Sequence, residues 1–288
     1  MIREHNFSGI YYPKDYDSLI DEVEKLFDSV YSSVEDRQLL RTVKGYIQKK
    51  KILSFLVPHG SYRYSGLTSA FAYSLIKALE CNNFIILSSD HRGTSPGVSV
   101  TNNEYWETPL GKVEVNKSMS NDLIKKCLNK GFVQLDSFSF EIDHTIETQL
   151  PFIQALHKDN LCFLPIIQKN QDKETSMQLG KLLSSVLPTD EKVILICTSN
   201  LTHYLQYNEC CKIDNQILSE ALGMNIHSFY RLVQNYSHIV CGYGCIASTM
   251  EFSKIVGNSD AILLKHMTSG DIDGNKSSVV GYASAVMM

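Results

Sequence analysis

Two short apolar runs each end in a histidine: "FLVPHG" (Phe55 to Gly60) carries His59, and "FIILSSDHRG" (Phe84 to Gly93) carries His91. A third run, Val193 to Cys197, leads into "TSNLTH", which carries Asn200 and His203. Neutral imidazoles from two strand ends, joined by one anionic ligand, make a metal site with open positions for substrate or oxygen. The candidates for the third ligand are Cys241 in "HIVCGYG", Glu147 or Asp143 in "EIDHTIETQLPF", and Asn200. Cys241 opens a predicted helix through Ile246 and Ala247, and a helix N-terminus favours the thiolate that a metal needs. On composition alone a buried structural cysteine is the commoner fate.

On a helix beginning near Asp143, His144 and Glu147 lie three apart on one face, so one could orient the other as an acid-base pair. Asp143 could equally cap that helix, with Glu147 a solvated first-turn acid. "DIDG" (Asp271 to Gly274) has its glycine too early for a calcium loop and lacks the bidentate glutamate, so it reads as a hairpin turn. His5, His157, His227, His238 and His266 have no local constellation and read as surface or packing residues.

The elements that must position these groups are strands buried on both faces. Ile52 to Val57, Phe84 to Leu87, Leu161 to Ile167 and Val193 to Cys197 are apolar without alternation, and the C-terminal "SSVVGYASAVM" returns to strand. Between them, Gly66 to Glu80, Glu174 to Val186 and Asn215 to Gly223 carry helical spacing. Strands alternating with helices predict a three-layer α/β/α sandwich around a largely parallel or mixed sheet. In such sheets ligands bind beyond the carboxyl ends of the strands, so His59, His91 and the Asn200–His203 pair are expected to converge on one crevice. No linker or repeat divides residues 1–288, which read as one domain.

The chain has 288 residues, 43% of them hydrophobic, enough for a sizeable core. A net charge of -4 argues against nucleic acid as a partner. An N-terminus charged from residue 3, with no apolar stretch near the ~20 residues of a membrane span, leads us to expect a cytoplasmic protein without membrane association. Its eight cysteines are then expected to be reduced thiols.

Eight blocks, in order, resemble the Memo family, protein B of the AmmeMemoRadiSam system. They are "SGIYYP" (8–13), "VPHGSYRYSG" (57–66), "LSSDHRG" (87–93), "WETPLGKV" (106–113), "DHTIETQLPF" (143–152), "TSNLTHY" (198–204), "VCGYG" (240–244) and "TSGDIDGNKSSVVGYAS" (268–284). The resemblance implies a fold similar to class III extradiol dioxygenases and a pocket in which two histidines and a cysteine bind iron or copper. On the matching positions those ligands are His59, His91 and Cys241, with His203, His144 and Glu147 lining the same cavity. Members are described as metal-dependent redox proteins and as phosphotyrosine-peptide-binding proteins. The resemblance therefore implies a dioxygenase-like oxidoreductase or a non-catalytic binding protein whose cleft takes a small molecule, an anion or a peptide. AMMECR-like and radical SAM proteins are implied as partners. Where the family motif has aspartate this chain has Asn200, which removes a charge from the expected pocket.

Overall fold

The computed structural model describes residues 1–127, 131–156, 160–188 and 191–288; His157 falls outside them. Its strands are β1 (Ile2–Arg3), β2 (Ile52–Val57), β3 (Asn83–Ser89), β4 (Val98–Val100), β5 (Tyr105–Thr108), β6 (Gly111–Val115), β7 (Val133–Leu135), β8 (Cys162–Gln168), β9 (Val193–Thr198), β10 (His203–Leu205), β11 (Ala261–Thr268) and β12 (Val279–Met287). They form one sheet in the order β1-β5-β6-β8-β3-β9-β2-β12-β10, with β11 on β12 and with β4 on β7 and β8. The central run β6-β8-β3-β9-β2 is parallel, while β12 lies antiparallel to β2 and β11, so the sheet is mixed.

The apolar runs are unalternating because each face of the sheet has its own core. In β3, Phe84 and Ile86 enter one core while Ile85 and Leu87 enter the other; in β9, Ile194 and Ile196 are set against Leu195 and Cys197. The first core is closed by helices Tyr16–Ser29, Val34–Ile47, Tyr62–Ile76 and Leu150–Leu156, the second by Lys173–Ser185, Tyr207–Leu222, Ile226–Val233 and Tyr243–Ile255. This is the expected three-layer α/β/α sandwich.

The helix expected from Gly66 starts at Tyr62, so Gly66 lies inside it. A Cβ there would meet Leu26 Cδ1 at 2.7 Å, so glycine lets the helix Tyr16–Ser29 pack close. The helix expected from Asn215 begins at Tyr207, where the Gln206 side chain accepts from the backbone N–H groups of Asn208 and Glu209. "DIDG" does link two antiparallel strands, β11 and β12, as a short helical turn that Gly274 ends at φ +79°. No helix among the described residues is long and apolar enough to cross a membrane.

Candidate metal centre

Strands β2, β9 and β3 are parallel neighbours, so the segments leaving them emerge along one edge. His59 stands two residues past β2 and is 1% exposed. Its Nδ1 lies 2.9 Å from the Oγ1 of Thr198, the last residue of β9, and its backbone N–H donates to Asn200 Oδ1 at 3.0 Å. His91, two residues past β3, is the solvent-side member. Its Nδ1 donates to the Ser89 carbonyl at 3.0 Å and lies 3.4 Å from Asp143 Oδ2, which also accepts its backbone N–H at 3.2 Å. Both rings thus commit Nδ1 to the protein, which leaves Nε2 for a ligand.

Cys241 arrives from the far end of the chain, just before the helix Tyr243–Ile255. Gln171 holds this turn from both sides, donating to the Cys241 carbonyl and accepting from the Gly244 N–H, each at 2.8 Å. The Gly242 N–H donates to Ser199 Oγ at 3.0 Å. A Cβ on residue 242 would stand 2.6 Å from the Ser199 side chain, so glycine is what lets the turn close against β9. Cys241 Sγ then lies 3.2 Å from His59 Nε2, and one ligand atom from each of His59, His91 and Cys241 lies within 4.8 Å of the others. Around a tetrahedral metal with bonds of roughly 2.0–2.3 Å, such atoms stand about 3.3–3.8 Å apart, so small side-chain rotations suffice.

Charges at the site are set by burial and by Asp143. Burial, and then the nearby His91 and His144, push His59 well below the ordinary imidazole value, so it is neutral. Burial likewise brings His144 down to about 4. At His91 burial also pulls down, but the Asp143 carboxylate and the Cys241 sulfur outweigh it and hold the ring up to about 10. Burial raises Asp143, yet His91 and the Thr145 hydroxyl and N–H win and keep its carboxyl well below the usual range.

The remaining expected site residues divide. The His144 ring lies 5.6 and 5.7 Å from those of His59 and His91, and Tyr11 stacks on it at 4.0 Å. His203 donates through Nδ1 to the Ile239 carbonyl. With Tyr204, His238 and Cys241 it lines a cleft of about 290 Å³. Tyr204 is 78% exposed there with a left-handed φ of +62°, a strained conformation of the kind that collects at functional sites. A larger hollow, about 620 Å³, lies by Tyr105 and Lys112 and is lined by no imidazole or thiol among the described residues.

Glu147 is not where the helical spacing puts it. Regular helix begins only at Leu150, with Pro151 in its first turn, and Glu147 occupies a 3₁₀ turn. Its fully buried carboxylate accepts from Arg3 Nη1 at 2.6 Å, the Tyr12 hydroxyl at 2.6 Å and the N–H groups of Asn6 and Phe7. It ties down the N-terminal segment instead of orienting His144. Asn200 supports the His59 backbone and caps no helix, since irregular chain and β10 come after it.

Several participants carried no usable sequence signal. Tyr11 and Gln171 reach the site only through the fold. Thr198 was legible in principle, as the last residue of a strand running into the crevice.

The profile of a family described as Memo-like protein matches residues 3–286. The chain belongs to the Memo family. It is 33% identical over 294 residues to a MEMO1 family protein of Methanocaldococcus jannaschii, 32% over 286 residues to one from Archaeoglobus fulgidus, and 30% over 287 residues to one from Methanosarcina mazei. Each alignment covers 99% of both chains. A crystal structure of an uncharacterised Escherichia coli K12 protein superposes with a TM-score of 0.57 at 12% identity, covering 82% of this chain and 99% of that one. That likeness concerns the fold alone. The Memo-family blocks around His59, His91 and Cys241 are thus the segments that the fold gathers at one edge of the sheet.

Proposed function

We propose that this chain is a redox-metal protein in which His59, His91 and Cys241 hold iron or copper and that it acts as a metal-dependent oxidoreductase on a small molecule. The observation that carries the reading is the pairing of two imidazoles, each with Nδ1 already engaged by the protein, around one thiol. Two imidazoles and a thiolate, once His91 has given up its proton, suit both metals and leave coordination positions open. When bound, the metal would supply one-electron chemistry and a place for oxygen or substrate. The chain's own residues would admit, orient and deprotonate. The cleft beside Tyr204 and His238 has the size of a small metabolite. His144 is neutral and can accept a proton, and His203, its Nδ1 spent on Ile239, can do so through Nε2.

The test is metal content of untagged protein after anaerobic loading with iron or with copper, for wild type and Cys241→Ser. One equivalent in wild type and a large loss in the variant are expected; no stoichiometric metal in wild type overturns the proposal. A second reading is favoured by the exposed Arg92, whose charge bears on Tyr11 and His144 beside the proposed ligands: the site retains an anionic small molecule or peptide without turning it over. Retention of such a ligand by metal-free protein in calorimetry would support it.

A further inference from the structure

Asp214, in the helix Tyr207–Leu222, is fully buried. Its Oδ1 accepts from both the backbone N–H and the hydroxyl of Thr202, at 3.0 and 2.8 Å, and its Oδ2 pairs with His266 Nε2 at 2.8 Å. The same design occurs beside the proposed metal ligands: Asp143 Oδ1 accepts from the N–H and hydroxyl of Thr145, at 2.9 and 2.6 Å, while its Oδ2 faces His91. A buried carboxylate is costly unless its bonds are used. Asp143 gives Oδ1 to Thr145 and Oδ2 to a proposed ligand, whereas Asp214 gives Oδ1 to the segment Ser199–His203 and Oδ2 to His266.

That segment meets every part of the centre on its side. Thr198, the strand residue just before it, holds His59 Nδ1, and Asn200 Oδ1 takes the His59 N–H. Ser199 Oγ accepts from the Gly242 N–H and lies 3.8 Å from Cys241 Sγ. His203 anchors on Ile239, in the turn that leads to Cys241. Behind it the segment is fixed by the backbone exchange of Leu201 and Thr202 with Gly281, and by Asp214. The fit is close: a Cβ at position 281 would stand 1.9 Å from Asp214 Oδ2.

We infer that Asp214, acting through Thr202, is a positioning residue that sets His59 and Cys241 relative to each other. This rests on the proposed metal reading. Neither Asp214 nor His266 touches the centre, so removing the clamp changes geometry without removing a donor.

The experiment compares wild type, Asp214→Ala, Asp214→Asn and Thr202→Val, with Cys241→Ser as the ligand-loss control. Each is titrated with Cu(II), following affinity and the thiolate-to-copper charge-transfer band, and each metal-free protein is melted. Asp214→Ala is expected to lose roughly 10-fold in affinity, the low end of the range for partners bonded directly to a ligand, and to shift the band. Asp214→Asn keeps an acceptor for Thr202 and should restore both. Thr202→Val, which keeps the backbone bond, should fall between and carries the test if Asp214→Ala does not fold. A lowered melting temperature with unchanged affinity and band would overturn the inference and leave Asp214 a packing element. If wild type and Cys241→Ser bind copper equally and show no band, and bind Fe(II) equally under anaerobic conditions, it is the metal reading that fails. The clamp is then judged on metal-free protein by the alkylation rate of Cys241: a change in Asp214→Ala that Asp214→Asn reverses sustains it, and an unchanged rate overturns it.

Discussion

Cys241 Sγ lies 3.2 Å from His59 Nε2 although 182 residues separate them in the chain. The contact is built, not incidental, because Gln171 and Ser199 hold the cysteine turn while Thr198 and Asn200 hold the histidine. Neither side chain has to travel far to share a ligand.

Proton release should accompany metal binding. His91 is held up to about 10 against an ordinary 6.5, so it is an imidazolium at pH 7 and must lose its proton to ligate. Apparent metal affinity should therefore climb as pH rises toward about 10, and metal added in weak buffer at pH 7 should acidify the solution. Without metal the sign reverses. The raised His91 stabilises the fold fully below about 6.5 and less as pH climbs through about 10, while the depressed Asp143 contributes above 3.8 and is lost in acid. Metal-free stability measured by urea unfolding should thus decline between pH 7 and 10, with Asp143→Asn flattening the decline. A pH-independent affinity would remove His91 from the ligand set.

Arg3 and Glu147 should matter for stability and not for metal. Their buried pair, at 2.6 Å and with Arg3 over the Trp106 ring, clamps the first strand to the segment that carries His144. Arg3→Ala should cost about 3–5 kcal/mol in urea unfolding, as for other broken buried pairs. Metal affinity at temperatures where the variant stays folded should be unchanged; a collapse of affinity there would return Glu147 to the site.

Asn200→Asp separates two roles for one side chain. A carboxylate can still accept the His59 N–H, so the fold should tolerate it. The added charge beside the ligands should tighten divalent-metal binding, by roughly 10- to 100-fold if it acts as outer-shell partners do. Equal affinities in a titration at matched pH and ionic strength would mean that Asn200 supports only the His59 backbone.

Cys241 should alkylate faster than Cys81 or Cys197 in metal-free protein. Burial pushes Cys81 up to about 11 and Cys197 up to about 12, whereas Cys241 lies at the cleft. Bound metal should protect it. Mass spectrometry of timed alkylation decides, and equal labelling of the three thiols would count against a reactive Cys241.

The strand ends were legible because a fully buried parallel strand has to be an apolar run, and the residues just past its end have to face the crevice. His59, His91, His203 and Asn200 were found that way. Glu147 misled because i, i+3 spacing means a shared face only on a helix, and Pro151 delays the helix past it. Tyr11 on His144, Gln171 under Cys241 and Asp214 behind Thr202 left no trace in local spacing. Each is a contact between segments that only the sheet order brings together. The hairpin of β5 and β6 and the two N-terminal helices stayed unread, although each helix is amphipathic and opens on a capping side chain, Asp15 or Ser33.

The most direct measurement is an anomalous-difference map of untagged crystals loaded anaerobically with iron or copper, recorded on both sides of the absorption edge of the metal supplied. The account predicts one peak roughly 2.0–2.3 Å from His59 Nε2, His91 Nε2 and Cys241 Sγ. A map with no peak at that point, or with the metal bound elsewhere on the chain, would contradict it.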